Sequence, residues 1–162
     1  MKALVLRWQG VCLLAWILAW GLAHAAEGLP LARDLQQDAE QARARRAAVL
    51  IAFVSPNCPY CALALREVLV PTSLNPDYQD KLVMRRVYTR EQLPLRDFAG
   101  RRTTHRDFSR QLGIFLVPTV VLFDPDGQPL AKPLVGITMV EQYGYDLDEA
   151  IAQAMARLRP PS

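Results

Sequence analysis

The stretch "AVLIAFVSPNCPYCALALREVLV", residues 48–70, joins three local patterns that together decide the fold. Its first eight residues form a continuous apolar run, which is typical of a strand buried on both faces of a sheet. Pro59 stands where a first helical turn tolerates proline, and the alanines and leucines after it favour a helix that ends before Pro71. Cys58 and Cys61 lie between the two patterns. The stretch therefore predicts a central strand, a cysteine pair and a helix in direct succession.

The rest of the chain supplies the other elements of a layered domain. Residues 32–47 are rich in helix formers and predict an amino-terminal helix. The remaining patterns predict a strand over 81–89, a loop over 90–101, a helix over 103–113, strands over 118–124 and 128–136 joined by "PDG", and a helix over 140–158. A strand–helix–strand unit implies a parallel crossover, and a tight hairpin implies antiparallel pairing. The fold class is therefore α/β, with a mixed four-stranded sheet flanked by helices and an extra amino-terminal helix.

The first 25 residues have the composition of a secretory signal peptide. Lys2 and Arg7 precede an apolar run, and the small residues Ala23 and Ala25 fit cleavage after Ala25. An uncleaved membrane anchor is the alternative, although the apolar run is shorter than the ~20 residues that a spanning helix needs. We therefore expect a protein exported to the periplasm, where disulfides persist.

Export would leave residues 26–162 as one domain with its core at about 46–158. Cys12 would leave with the signal peptide, so that both remaining cysteines belong to one motif. Removing the two basic residues of the signal peptide from the 19 in the chain leaves 17, against 16 acidic ones. This near-neutral balance gives no reason to expect nucleic acid or an anionic membrane as a partner, and we expect a monomer.

The pair Cys58 and Cys61 has three possible explanations: half of a metal site, a structural bridge or a redox centre. A tetrahedral zinc needs four ligands, and the exported chain offers two cysteines and one histidine, His105. A bridge across two residues closes so small a loop that it stabilises the fold little. Redox exchange explains the spacing better, because one sulfur attacks a partner's disulfide and the other must reach it to resolve the mixed disulfide. Helix-end amides favour a thiolate at Cys58, so we expect Cys58 to be the nucleophile and Cys61 the resolving thiol.

The order of these features resembles the thioredoxin superfamily, in which Cys-x-x-Cys follows the first core strand and a segment like Val117-Pro118-Thr119 opens the hairpin strand. The resemblance implies a thioredoxin fold, a cis peptide bond before Pro118, and a substrate groove formed by Val117 and Pro118 with Pro59 and Tyr60. "CPYC" itself looks like glutaredoxin, but no Gly-Gly follows the second hairpin strand. The longer pattern, "CPYC…REVL" followed by "GRRTT…LGI…VPTVVLFDPDG", is similar to the exported thioredoxin-like proteins of sulfur-oxidation operons, often called SoxW-like.

Two positions depart from the thioredoxin pattern. Asn57 precedes Cys58 where thioredoxins have Trp, and Ala52 stands where they bury an acid that helps to move the proton of the second thiol. Fast thioredoxin-like turnover is therefore not implied.

The resemblance implies a protein thiol–disulfide oxidoreductase, with no bound cofactor or metal, that acts on the disulfides or thiols of partner proteins. A membrane thiol-relay protein would supply its electrons. The direction of electron flow stays open, although the uncharged Pro59 and Tyr60 between the sulfurs favour a reducing or intermediate poise. A binding or assembly module with the same fold and no redox turnover is the alternative function.

Overall fold

A mixed four-stranded sheet forms the centre of the protein, whose computed structural model describes residues 28–160. In chain order the elements are α1 (Leu35–Arg45), β1 (Ala48–Val54), α2 (Pro59–Ala64), a π-helical turn (Leu65–Leu69), α3 (Val70–Leu74), α4 (Pro76–Gln79), β2 (Leu82–Tyr88), β3 (Pro94–Arg96), β4 (Arg102–Thr104), α5 (His105–Gln111), β5 (Thr119–Phe123), β6 (Leu134–Val135) and α6 (Val140–Leu158). The strands of the central sheet lie in the order β2-β1-β5-β6. β1 is parallel to β2 and antiparallel to β5, which is antiparallel to β6. The predicted mixed sheet with flanking helices is confirmed.

The apolar run of β1 is explained by burial on both faces of the sheet, since all seven of its residues are buried. Leu50, Ala52 and Val54 share one core cluster with side chains of α2 and α6. Val49, Ile51 and Phe53 share a second cluster with side chains of α1 and α5. Helices therefore cover both faces of the sheet, and the cysteine pair lies on the face covered by α2 and α6.

The helix after the cysteine pair does not end before Pro71 as the sequence predicted, but continues to Leu74. The π-helical turn makes this possible, because the amide of Val70 donates to the carbonyl of Leu65, five residues back. Pro71 has no amide hydrogen to donate, and the hydroxyl of Thr72 donates to the carbonyl of Val68 at 2.8 Å. The π-helical turn therefore accommodates Pro71, which would otherwise end the helix.

The predicted loop over 90–101 contains structure that the sequence analysis missed. β3 pairs with β4 in a separate two-stranded sheet. The carboxylate of Asp97 organises the turn between them, since it accepts hydrogen bonds from the amides of Ala99 and Arg101. The following helix begins at His105, two residues later than predicted, and the hydroxyl of Thr104 caps it.

The predicted hairpin strand over 128–136 is also shorter than expected. Only Leu134–Val135 forms a strand, and an isolated bridge joins Phe123 to Pro129. Prolines at 129 and 133 lack the amide hydrogen that a ladder needs, so continuous pairing is interrupted.

An amino-terminal segment, residues 29–34, runs beside the outer strand β2. The amide of Ala32 donates to the carbonyl of Arg86 at 2.9 Å, and the amide of Arg86 donates to the carbonyl of Pro30 at 2.8 Å. The buried imidazole of His105 ties this segment to the sheet: Nε2–H donates to the carbonyl of Ala32 at 2.7 Å, while Nδ1 accepts from the amide of Tyr88 at 3.0 Å. Burial lowers the pKa of His105, which agrees with a neutral ring in this arrangement.

The predicted signal peptide, its cleavage site and Cys12 lie outside the residues that the structure describes. Within residues 28–160, no helix is both long and apolar enough to cross a membrane.

Candidate active site

Cys58 lies between the end of β1 and the start of α2, and Cys61 lies within α2. Cys58 is the N-cap residue of α2, with extended backbone angles, and Pro59 occupies the first turn. The two cysteines form a disulfide, with 5.2 Å between their Cα atoms. The Sγ atom of Cys58 also accepts a hydrogen bond from the backbone amide of Cys61 at 3.1 Å. The sequence therefore folds locally so that the first sulfur receives an amide at the start of the helix.

The two sulfurs differ in their access to solvent. Cys61 is 1% exposed and belongs to the apolar cluster between the sheet and the α2/α6 side. Cys58 is half-buried and packs against the edge of that cluster. Ala52, the position discussed above for a buried acid, is completely buried in the same cluster. An attacking group can therefore reach Cys58 from outside, whereas Cys61 is accessible mainly to Cys58.

The sheet brings Pro118 to the same edge as the cysteines. Phe53 pairs with Thr119, so the residues after β1 and the residues before β5 emerge together. Pro118 is buried, Val117 is half-buried, and the peptide bond between them is cis. The carbonyl of Pro118 accepts from the amide of Gly136 at 2.8 Å. The backbone amide and carbonyl of Val117 have no hydrogen-bond partner within the part of the chain that the structure describes.

A groove of about 370 Å³ lies beside the cysteine pair. Tyr60, which is exposed between the two cysteines, lines it together with Val117 and Pro118. Pro59 is exposed at the first turn of α2 and is not among the residues that line the groove. A larger cavity of about 710 Å³ lies between the amino-terminal segment and β3. Its lining includes no residue of the Cys58–Cys61 segment, whereas Tyr60 of that segment lines the smaller groove, so we assign the candidate site to the smaller groove.

Tyr143 lines the same groove and was not predicted from the sequence. Its side chain is buried, and its hydroxyl has no hydrogen-bond partner among the described residues. Burial raises the pKa of Tyr143 to about 12, so the hydroxyl stays protonated at physiological pH. Gly136 was missed as well, although a glycine directly after a short strand, here with φ of 74°, is a recognisable signal for a backbone turn.

The groove carries no sign of a metal centre in the described residues. No group of three His, Cys, Asp or Glu side chains within 28–160 comes close enough together to hold an ion. The disulfide between Cys58 and Cys61 offers sulfur chemistry, because the pair can exchange between a disulfide and two thiols.

Comparisons with known proteins place this geometry in a family. A family model for a thioredoxin-like domain matches residues 35–150. The fold is similar to that of a thioredoxin from Malassezia sympodialis (22% identity, TM-score 0.51, covering 83% of this chain and 99% of that one). It is also similar to mitochondrial thioredoxin 3 from Saccharomyces cerevisiae (16% identity, TM-score 0.52, covering 76% and 93%) and to Trxlp from Edwardsiella tarda (23% identity, TM-score 0.50, covering 68% and 91%).

A comparison with curated protein sequences gives no match. The likeness to the solved structures shows the fold, and the match to the family model covers most of the chain. The chain belongs to the thioredoxin-like family.

Proposed function

We propose that the protein is an exported thiol–disulfide oxidoreductase that acts on the disulfides or thiols of partner proteins. Cys58 is the nucleophile and Cys61 the resolving thiol. The observation that carries this proposal is the asymmetry of the pair, in which a half-buried sulfur that caps a helix is joined to a sulfur that is 1% exposed. A merely structural bridge between residues three apart would need neither the cap nor the adjoining groove.

The reaction begins with the reduced protein. The Cys58 thiolate attacks one sulfur of a partner's disulfide, a mixed disulfide forms, and the partner's other sulfur leaves as a thiolate that takes up a proton. Cys61 then loses its proton and attacks Sγ of Cys58. This second attack closes the Cys58–Cys61 disulfide and releases the partner's remaining sulfur, so that two electrons and two protons pass to the partner.

The local structure favours the thiolate form of Cys58. Its Sγ accepts the amide of Cys61, a bond that strengthens when sulfur carries a negative charge. The positive end of the helix dipole points at the same atom. Pro59 and Tyr60 add no charge between the sulfurs, which favours a reducing or intermediate poise over a strongly oxidising one.

The backbone beside Cys58 offers a way to hold the partner. The free amide and carbonyl of Val117 can pair with an extended segment that carries the target cysteine, as an added strand does at a sheet edge. Val117 and Pro118 then form one wall of the substrate groove, and Tyr60 lies on its rim.

The cellular setting rests on the sequence alone. The composition of residues 1–25 supports export to the periplasm with cleavage after Ala25. The motif pattern similar to the SoxW-like group supports a membrane thiol-relay protein as electron donor. Without a cofactor of its own, the protein would act as a monomer that passes electrons between that donor and its substrates.

Reduction of insulin by the purified protein tests the activity. We expect turnover with dithiothreitol as electron source and loss of turnover in Cys58→Ser, while Cys61→Ser accumulates a mixed disulfide. No exchange with any disulfide would instead support a binding or assembly module. The mass of the protein recovered from the periplasm tests the export step, because a mass that retains Cys12 would show an uncleaved anchor.

A further inference from the structure

The cavity of about 710 Å³ beside the amino-terminal segment is lined by both basic and apolar side chains. Its basic side chains are Arg33, Arg96 and Arg102, and Asp34 is its one acidic side chain. His105 also lines the cavity, but its ring is neutral. Three positive charges against one negative charge leave the lining with an excess of two positive charges. Apolar surface in the same lining comes from three leucines, Leu31, Leu93 and Leu95.

Asp34 is already engaged and cannot neutralise all three arginines. Its Oδ1 atom accepts the amide of Gln37 at 3.0 Å, and its Oδ2 atom lies 3.2 Å from Nε of Arg96. Arg33 and Arg102 are exposed, and neither forms an ion pair within residues 28–160. Two guanidinium groups at this cavity are therefore available to an anion from outside.

The pairing of β3 with β4 adds a repulsion at the same place. Arg96 lies directly opposite Arg102 in this antiparallel pair. Side chains of directly opposite residues share one face of the sheet, with about 5 Å between their Cβ atoms, and like charges in such a pair lower stability. A carboxylate bound between the strands and the amino-terminal segment would relieve this repulsion.

The cavity lies at the same end of the central sheet as the cysteine pair. Tyr88, the last residue of β2, pairs with Val54 of β1, and its amide donates to the ring of His105 at 3.0 Å. Cys58 follows Val54 by four residues, so that His105 and Cys58 lie within about 25 Å of each other. A protein interface of ordinary size, ~800 Å² on each partner, spans about 30 Å. One partner can therefore cover both places.

From these observations we propose that the cavity is a docking site for an acidic segment of a partner protein. The carboxylates of the segment pair with Arg33 and Arg102, whose planar guanidinium groups suit carboxylates. Its apolar side chains cover the three leucines. A small inorganic anion could use the arginines but would leave the leucines uncovered. The proposal rests on the function proposed above only in taking the partner to be one that exchanges disulfides at Cys58.

The test uses the oxidised protein and a probe peptide without cysteine, acetyl-Asp-Leu-Glu-Leu-Asp-amide. Binding is followed through the amide signals in NMR spectra of the isotope-labelled protein. We expect saturable shifts at Leu93, Leu95 and Thr103, and none at Val117 in the groove beside Cys58. Two comparison peptides separate charge from apolar contact: Asn-Leu-Gln-Leu-Asn and Asp-Ser-Glu-Ser-Asp, with the same blocked ends. Each should bind about fivefold more weakly than the probe peptide.

Variants with matched charge locate the binding. Arg33→Gln/Arg102→Gln should lose about tenfold in affinity for the probe peptide. Arg110→Gln/Arg157→Gln removes the same two charges from exposed positions outside the cavity lining, and should stay within about twofold of the parent. Arg102→Gln alone should raise the Tm by about 2 °C, because it removes the repulsion with Arg96. Loss of binding in a variant of raised Tm cannot come from unfolding.

Three results would overturn the inference: no shifts at the cavity with the probe peptide, equal binding of the Asn/Gln peptide, or equal losses in the two double variants. Inorganic phosphate that shifts the same amides with the same affinity would also overturn it, since the cavity would then be a simple anion site. Failure of the protein to reduce insulin would overturn the proposed function, and of this inference only the claim that the partner exchanges disulfides.

Discussion

Replacing Tyr143 by Phe should make the protein more stable, although it removes a polar group. The hydroxyl is buried and unpartnered among the described residues, while the ring packs in the core. A buried polar group without a hydrogen bond costs ~1–3 kcal/mol relative to its hydrated state. Because Phe keeps the ring and omits that group, we expect the free energy of unfolding to rise by about 1 kcal/mol and the Tm by about 3 °C.

Tyr78→Phe provides the matched control for this prediction. The hydroxyl of Tyr78 donates to the carboxylate of Asp148 at 2.6 Å, and this bond raises the pKa of Tyr78 to about 12. Replacing Tyr78 by Phe therefore removes an existing hydrogen bond at a partly exposed site. We expect the free energy of unfolding to fall, by less than about 1 kcal/mol because solvent screens the pair.

Urea unfolding of the oxidised proteins, monitored by circular dichroism, measures both changes on the same scale. Opposite signs for the two variants are the expected result. A loss of stability in Tyr143→Phe would refute the reasoning, since it would mean that an ordered water or another group bonds this hydroxyl in the folded protein.

Three further predictions concern the thiols, the histidine and a buried ion pair. Iodoacetamide at mildly acidic pH should label Cys58 of the reduced protein at least about tenfold faster than the other, buried cysteine, as peptide mapping would show, and the reverse order would contradict our assignment. Burial lowers the pKa of His105, so the stability that depends on its neutral ring should be fully present above about pH 6.5. As the pH falls, this contribution to the free energy of unfolding should be lost, by up to about 1.4 kcal/mol per pH unit. The variant His105→Gln should not show this loss. Arg85→Met leaves the carboxylate of Asp38 buried without its ion pair and should lower the free energy of unfolding by about 3 kcal/mol. Arg43→Met removes an exposed ion pair and should lower it by less than about 1 kcal/mol. Similar losses in the two variants would show that burial does not decide the difference.

Strong local periodicity explains which elements could be predicted from the sequence. The helix over 140–158 was predicted with both ends correct, because its apolar positions recur at helical spacing. β1 was recognised because burial on both faces requires an unbroken apolar run. The N-cap position of Cys58 follows from Pro59, whose ring suits only the first turn.

Elements that no regular sequence pattern marks were missed. The breakers in residues 90–101 suggested a loop, but the bonds of Asp97 and the pairing of β3 with β4 order that region. Pro71 suggested a helix end, because no local pattern announces a π-helical turn. Tyr143 reaches the groove from a helix more than 80 residues beyond Cys61, so only the assembled topology reveals it.

The amino-terminal segment along β2 affects how readily other chains could add to the edge of the central sheet. An open strand edge invites other chains to add to the sheet, which is a route to aggregation. Here residues 29–34 occupy part of the β2 edge, and the opposite edge strand, β6, is only two residues long. Within residues 28–160 the central sheet therefore presents no long template on which a second chain could grow. Under the proposed function, a partner chain that reaches Cys58 would therefore find no long open strand edge on which it could aggregate.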